Sequence, residues 1–273
     1  MLDLLITDAA VLLPDGTVRS GQTVEIENGI IKDVRPFCGG DLVMEAQERL
    51  DGTGKLVMPG LADCHMHTGQ QLLKGKVLDA LPMIWTRIML PFESTLKDRK
   101  MELSASLAAL EMIKSGTTAC VDAGSYHMEA AAEVYVRSGL RGLLSASTMD
   151  EKGLPDSIAQ TAEEAVAQTD RLYDSYNGRG NLKVAYSLRS LISCSDELNQ
   201  RAAERAKERG ARLQAHMNEY AGEVNYFLTN KKMRPFEYLD SMGILDEDFI
   251  AAHCLLLSER EKEILAERNV KVC

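Results

Sequence analysis

The sequence predicts an α/β chain, a (β/α)8 barrel of the TIM type that is incomplete here at about seven strands, preceded by a small N-terminal β-sandwich portion. Two patterns carry this expectation. Over residues 1–57, short apolar stretches alternate with turn signals such as Pro14-Asp15-Gly16 and Asn28-Gly29, the spacing of small antiparallel strands joined by tight turns. From residue 58 onward, apolar or β-branched runs alternate with long amphipathic stretches, the rhythm of repeated βα units over a parallel sheet. The expected domains are therefore 1–57 and 58–273.

The strands expected in the second part are 56–63, 117–122, 140–146, 182–187, 211–216, 249–253 and 270–273. Between them lie amphipathic helices, among them 98–115, closed by Gly116, and 156–173, for which Asp156 and Ser157 are candidate N-caps. With 273 residues and 45% hydrophobic content the chain can fill a sizeable core. A formal charge of -10, from 41 acidic and 31 basic residues, repels a phosphate backbone and argues against nucleic acid as a partner. Cys38, Cys64, Cys120, Cys194, Cys254 and Cys273 form no CxxC pair, so neither a zinc ribbon nor a disulfide framework is expected, and a reducing cytoplasm fits. The N-terminus lacks the basic region of a signal peptide, and no apolar run reaches the ~20 residues of a membrane helix. No membrane partner is expected.

Chemistry concentrates where apolar strands end in histidine. Pro59-Gly60-Leu61-Ala62-Asp63-Cys64-His65-Met66-His67 places two imidazoles two residues apart. Side chains at that spacing share one face of a strand and can converge on one ion. Leu213-Gln214-Ala215-His216-Met217-Asn218-Glu219 delivers a third imidazole with a carboxylate in the adjoining loop, and Phe249-Ile250-Ala251-Ala252-His253 delivers a fourth. In a parallel barrel all C-terminal strand ends open on one face, so four of the five histidines are expected at one mouth. Neutral imidazole suits zinc and also iron.

These motifs in combination resemble the amidohydrolase superfamily, in its deaminase and chlorohydrolase branch, along essentially the whole chain. The resemblance implies that His65, His67 and His216 hold one divalent metal, zinc or iron, that Glu219 shuttles a proton to a ring nitrogen, and that His253 orients and polarises the attacking water. A bound divalent ion lowers the pKa of its water to ~7, and a carboxylate within reach can carry the proton onto the ring. The implied activity is a hydrolase that strips an amino group from a small heterocyclic substrate, and the family implies homo-oligomers. The superfamily's binuclear members need a lysine at the end of the fourth strand. Lys183 stands at the wrong end of that strand and Arg189 follows it, which favours one metal. The family's remaining ligand, an aspartate on the eighth strand, has no match here, so the chain alone is expected to bind metal weakly and turn over little, as an inert fragment or scaffold would.

Gln70 and Arg189 are similar to guanine deaminase residues that hold the oxo edge of the ring, and a planar guanidinium with an amide suits an oxo-amino heterocycle. Trp85 and Glu93, within Leu90-Pro91-Phe92-Glu93, resemble instead the methylthioadenosine and S-adenosylhomocysteine deaminases, where the glutamate contacts ribose. That group carries a histidine at the place of Arg189. A triazine-type chlorohydrolase keeps the same metal site, but its halide needs less of the proton delivery that Glu219 offers. Met83, Ile88 and Met89 read as packing beside Trp85, and His127 as a helix-start or solvent residue.

Overall fold

The structure, a computed structural model, describes residues 1–77 and 84–273; Met83 lies outside them. The chain divides into two compact units, Met1–Gly60 and Leu61–Cys273.

In the first unit, β1 (Leu2–Leu12), β2 (Val18–Glu27), β3 (Ile30–Pro36), β4 (Ala46–Asp51) and β5 (Leu56–Val57) make one five-stranded sheet, ordered β3-β2-β1-β4 with β5 also on β1. Ile6, Ala9, Val11 and Val24 form its apolar core. Asn28 and Gly29, at φ 54° and 71°, supply the two left-handed residues that a tight hairpin between β2 and β3 requires. Leu4-Leu5-Ile6 and Val11-Leu12 belong to the single strand β1, whose register shifts beside Asp8 at φ 54°. β4 and β5 run parallel to β1, where antiparallel pairing was expected; turn residues fix where a strand stops, while direction follows from which edge the returning chain meets.

One ion cluster ties this unit together. Arg35 Nη2 donates to Glu25 Oε1 at 2.8 Å and Asp41 Oδ1 at 2.7 Å, and Nη1 donates to Asp41 Oδ2 at 3.0 Å. Asp41 also accepts from Thr23 Oγ1 at 2.7 Å and the Cys38 N–H at 2.9 Å. Arg35 above all, against burial and with help from Cys38 and Thr23, holds the Asp41 carboxyl far below the usual carboxylate range.

In the second unit the strands are parallel. β6 (Leu61–Met66), β7 (Thr117–Asp122), β8 (Arg141–Leu144) and β9 (Leu182–Val184) pair in that order, as do β10 (Tyr186–Leu188), β11 (Leu213–Met217), β12 (Phe249–His253) and β13 (Lys271–Val272). The strand expected at 56–63 divides: residues 56–57 join the N-terminal sheet and the parallel strand begins at Leu61. Pro59, which has no N–H, cannot continue a ladder. The shift leaves His65 inside β6 and His67 immediately beyond it.

Among the intervening helices, α1 (Leu90–Glu93) is one short turn and α2 (Asp98–Ser115) ends at Gly116 with φ 80°. Next come α3 (Met128–Ser138) and α4 (Ala162–Tyr176). The start expected for α4 at residue 156 is displaced to Thr161, whose hydroxyl accepts from Glu164 N while the Glu164 carboxylate accepts from Thr161 N. That reciprocal cap satisfies more orphan backbone groups than Asp156 or Ser157 could alone. α5 (Asp196–Glu208), α6 (Ala221–Asn230), α7 (Pro235–Ser241) and α8 (Glu259–Glu267) complete the series. Their apolar faces pack in two clusters, one centred on Met101, Tyr135 and Leu172, the other on Leu198, Phe236 and Phe249. Among the described residues no helix is long and apolar enough to cross a membrane.

Candidate active site

Parallel strands deliver their final residues to one side, and there the imidazoles meet. Ligand atoms of His65, His67 and His216 lie within 4.8 Å of one another. The His65 ring centroid is 5.2 Å from His67, 4.9 Å from His216 and 4.6 Å from His253. His67 Nε2 faces His216 Nε2 at 3.0 Å. Two ring nitrogens so placed repel unless a proton or a cation lies between them, and two nitrogens on one tetrahedral zinc would stand about 3.3 Å apart at ordinary bond lengths. Burial first, then the charge of Arg189, pushes His67 and His216 well below the usual imidazole range. Burial, His253 and Arg189 push His65 down to about 4. Near neutral pH all three are therefore unprotonated, as metal ligands must be, and the donor set fits a divalent ion.

Glu219 stands just past β11 and His253 ends β12; Glu219 Oε2 lies 3.5 Å from His253 Nε2, and each side chain is 25% exposed. Both line a cavity of about 240 Å³ together with the three clustered imidazoles. His127 lies apart, bonded through Nδ1 to Asp98 at 2.7 Å and capping α3 at φ 55°. Lys183 points outward on β9.

The candidate substrate residues separate. Gln70, Trp85 and Arg189 line the cavity, whereas Glu93 sits behind them. Its carboxylate, 1% exposed, accepts from Arg189 Nη2 at 3.1 Å and from Gln70 Nε2 at 2.7 Å. Arg189 Nη1 lies 2.8 Å from His67 Nδ1 and donates to Gly124 O at 2.7 Å. Its guanidinium carbon is 6.0 Å from the Trp85 ring centre, at the outer reach of a cation–π contact. The Trp85 indole N–H is buried with no hydrogen-bond partner among the described residues.

Three further positions shape the site beyond those expected from the sequence. Gly124 O lies 3.2 Å from His67 Nδ1; the residue sits at φ 100°, and a Cβ there would come within 3.3 Å of Ala146 O and Ser147 Cα. Asp122, buried at the end of β7, accepts from Thr68 N at 2.7 Å and Gly124 N at 2.9 Å. It thereby fixes the turns on both sides of His67, and burial pushes its carboxyl up to about 6. Glu223, on the first turn of α6, accepts from Glu219 N at 3.1 Å, and burial pushes it up to about 7. An Asp-x-Gly at a strand end was the available cue for the first two.

Parallel strands of an α/β fold thus gather three imidazoles that could hold one divalent ion, with a carboxylate beside them. Residues 56–273 match the amidohydrolase family, and the chain belongs to it. It is 34% identical over 279 residues to a 5'-deoxyadenosine deaminase of Methanothermobacter thermautotrophicus, covering 98% of this chain and 61% of the relative. To a 5-methylthioadenosine/S-adenosylhomocysteine deaminase of Thermococcus sibiricus it is 31% identical over 274 residues, covering 99% of this chain and 62% of that one. The chain thus spans about three fifths of the length of these curated relatives. Among solved structures, an adenosine deaminase from Xanthomonas campestris with bound zinc superimposes with a TM-score of 0.91 at 27% identity, over 99% of this chain and 62% of that one. A guanine deaminase from C. acetobutylicum shares the fold, with a TM-score of 0.89 at 20% identity over 100% of this chain and 67% of its own.

Proposed function

We propose that this chain carries the metal centre of an aminohydrolase that releases ammonia from an aminated nitrogen heterocycle. The observation that carries the reading is the meeting of His65, His67 and His216 at one point, with Glu219 and His253 beside them on the wall of a single cavity. The three imidazoles would hold one divalent ion, zinc ahead of iron given the zinc-bound relative. Such an ion lowers the pKa of the water it binds toward neutrality. As water adds to the ring carbon, Glu219 would carry one of its protons to the adjacent ring nitrogen and the second to the amino group, whose C–N bond then breaks to release ammonia, while His253 would orient the water by hydrogen bonding. In the same reading the parallel strands are seven of a (β/α)8 barrel, and the N-terminal sheet is one layer of a β-sandwich.

The names of the curated relatives point to an adenosine derivative as substrate. A second reading rests on Glu93, whose carboxylate is taken up by Arg189 and Gln70. A glutamate so engaged is withdrawn from ribose, and the guanidinium and amide beside it favour a ring bearing an oxo group. Ammonia release from 5'-deoxyadenosine, methylthioadenosine, guanine and a pterin, measured with one equivalent of zinc and again after chelation, tests both. Turnover of the nucleosides alone supports the first reading, and turnover of guanine or pterin alone the second. No release from any of them by metal-loaded protein would sink the proposal.

A further inference from the structure

The proposed proton carrier, Glu219, and the water-orienting His253 stand on or beside strained backbone. His253 and Cys254 have φ of 74° and 54°, and Asn218, which immediately precedes Glu219, has φ of 52°. None is glycine, so each occupies the left-handed region at a cost and persists only where its surroundings over-determine it.

What surrounds them is a buried polar assembly from three loops. The Asn218 side chain, fully buried, donates through Nδ2 to Leu256 O at 3.1 Å and to Glu261 Oε1 at 2.9 Å. Glu261, whose side chain is 0% exposed, accepts in addition from Arg234 Nε at 2.6 Å, Ser258 N at 2.9 Å and Phe236 N at 3.3 Å. Arg234 Nη2 donates to the same Leu256 carbonyl. Backbone bonds lace the loops directly, Cys254 N to Met217 O at 2.9 Å and Leu256 N to Asn218 O at 3.1 Å. One carboxylate thus ties together the loop after β11, the loop after β12 and the start of α7.

We propose that Asn218, Glu261 and Arg234 are positioning residues that set the separation of Glu219 from His253. None of the three lines the cavity; they act through the loops that carry the two cavity groups, and the inference rests on the deaminase reading of those groups. The metal ligands are held differently. His65 and His67 are carried by β6 and the turn beyond it, and His216 by the interior of β11, so metal binding and proton handling are separable in this fold.

The test is Asn218→Gly, which keeps the left-handed turn comfortable and removes the amide, with Glu261→Gln as a second variant that keeps size and loses charge. In zinc-loaded protein, Asn218→Gly is expected to lower kcat about 10- to 100-fold, as a small misplacement of reacting groups does, while KM and zinc affinity stay within about twofold. Hydrogen exchange at the Glu219 and Leu256 amides is expected to speed up together by a similar factor. Glu261→Gln is expected to follow the same pattern, and it carries the test should Asn218→Gly fail to fold. An unchanged kcat, a parallel loss of zinc affinity, or loosening confined to residues 218–220 overturns the proposal. Should the parent protein release no ammonia from any heterocycle, the deaminase reading fails by itself, and coupled exchange still decides whether this assembly positions the two loops.

Discussion

Arg35 in the first unit and Arg189 in the second are both paired with buried carboxylates, and they serve opposite ends. Arg35 divides its donors between Glu25 and Asp41, and Asp41 is further satisfied by Thr23 and Cys38. Nearly every polar atom of that cluster has its partner within the cluster. Arg189, 3% exposed, is held by Glu93 yet presses its charge against imidazoles kept neutral partly by that same charge. A cation beside would-be cations does not minimise energy. It is what a preorganised polar site looks like, with stability surrendered so that the groups are in place before substrate arrives.

Breaking each cluster should therefore read out differently, and the largest difference is expected at Arg189. Arg189→Met should lower kcat/KM for the true substrate by about 10²- to 10³-fold, since it removes a charged donor from the cavity wall. It also strands Glu93 as a buried charge, so stability falls. The double variant Arg189→Met/Glu93→Leu should recover that stability and none of the activity. Recovery of both would make Arg189 a structural residue like Arg35. Next in size, Asp41→Ala should cost about 3 kcal/mol of folding stability, measured by denaturant unfolding, with kcat unchanged within twofold in the folded protein.

Acid titration sharpens the same contrast. The folded Asp41 carboxyl lies below its unfolded value, so its contribution is complete above the unfolded pKa near ~4 and is lost as pH falls through that value toward the folded one. Thermal melts between pH 5 and pH 2 should show this loss, and Asp41→Asn should flatten it. The smallest effect is expected at Gln70. Gln70→Ala removes one amide from the cavity wall and should raise KM about 5- to 10-fold, the worth of one ordinary hydrogen bond, leaving zinc binding intact by calorimetry.

How far the site was legible follows from where its signals lie. His65, His67, His216 and His253 could be placed together because each stands at or near the end of an apolar run, and strand polarity does the rest. The 98–115 helix was legible to the residue because Gly116 marks its end. The split between β5 and β6 was harder, since apolar residues continue past 57 and only Pro59 records the break. Parallel pairing of β4 with β1 left no local trace. Gly124 and Asp122 act through backbone groups and a buried carboxylate, contacts that depend on strands 50 to 60 residues apart in the chain and show no periodicity. The Asn218, Glu261 and Arg234 assembly was invisible for the same reason, because Glu261 reads locally as a helix cap partner of Ser258.

Gly124 has a further consequence. It meets His67 with a peptide carbonyl, and a methyl group on its Cα would crowd Ala146 O and Ser147 Cα at 3.3 Å on a backbone at φ 100° that side chains rarely adopt. No single codon change can therefore retune that contact; a replacement can only displace the turn and the imidazole with it. Drift toward new substrates is thus shut out of this side of the mouth and channelled to Gln70, Trp85 and Arg189, where side chains can be exchanged without moving the main chain.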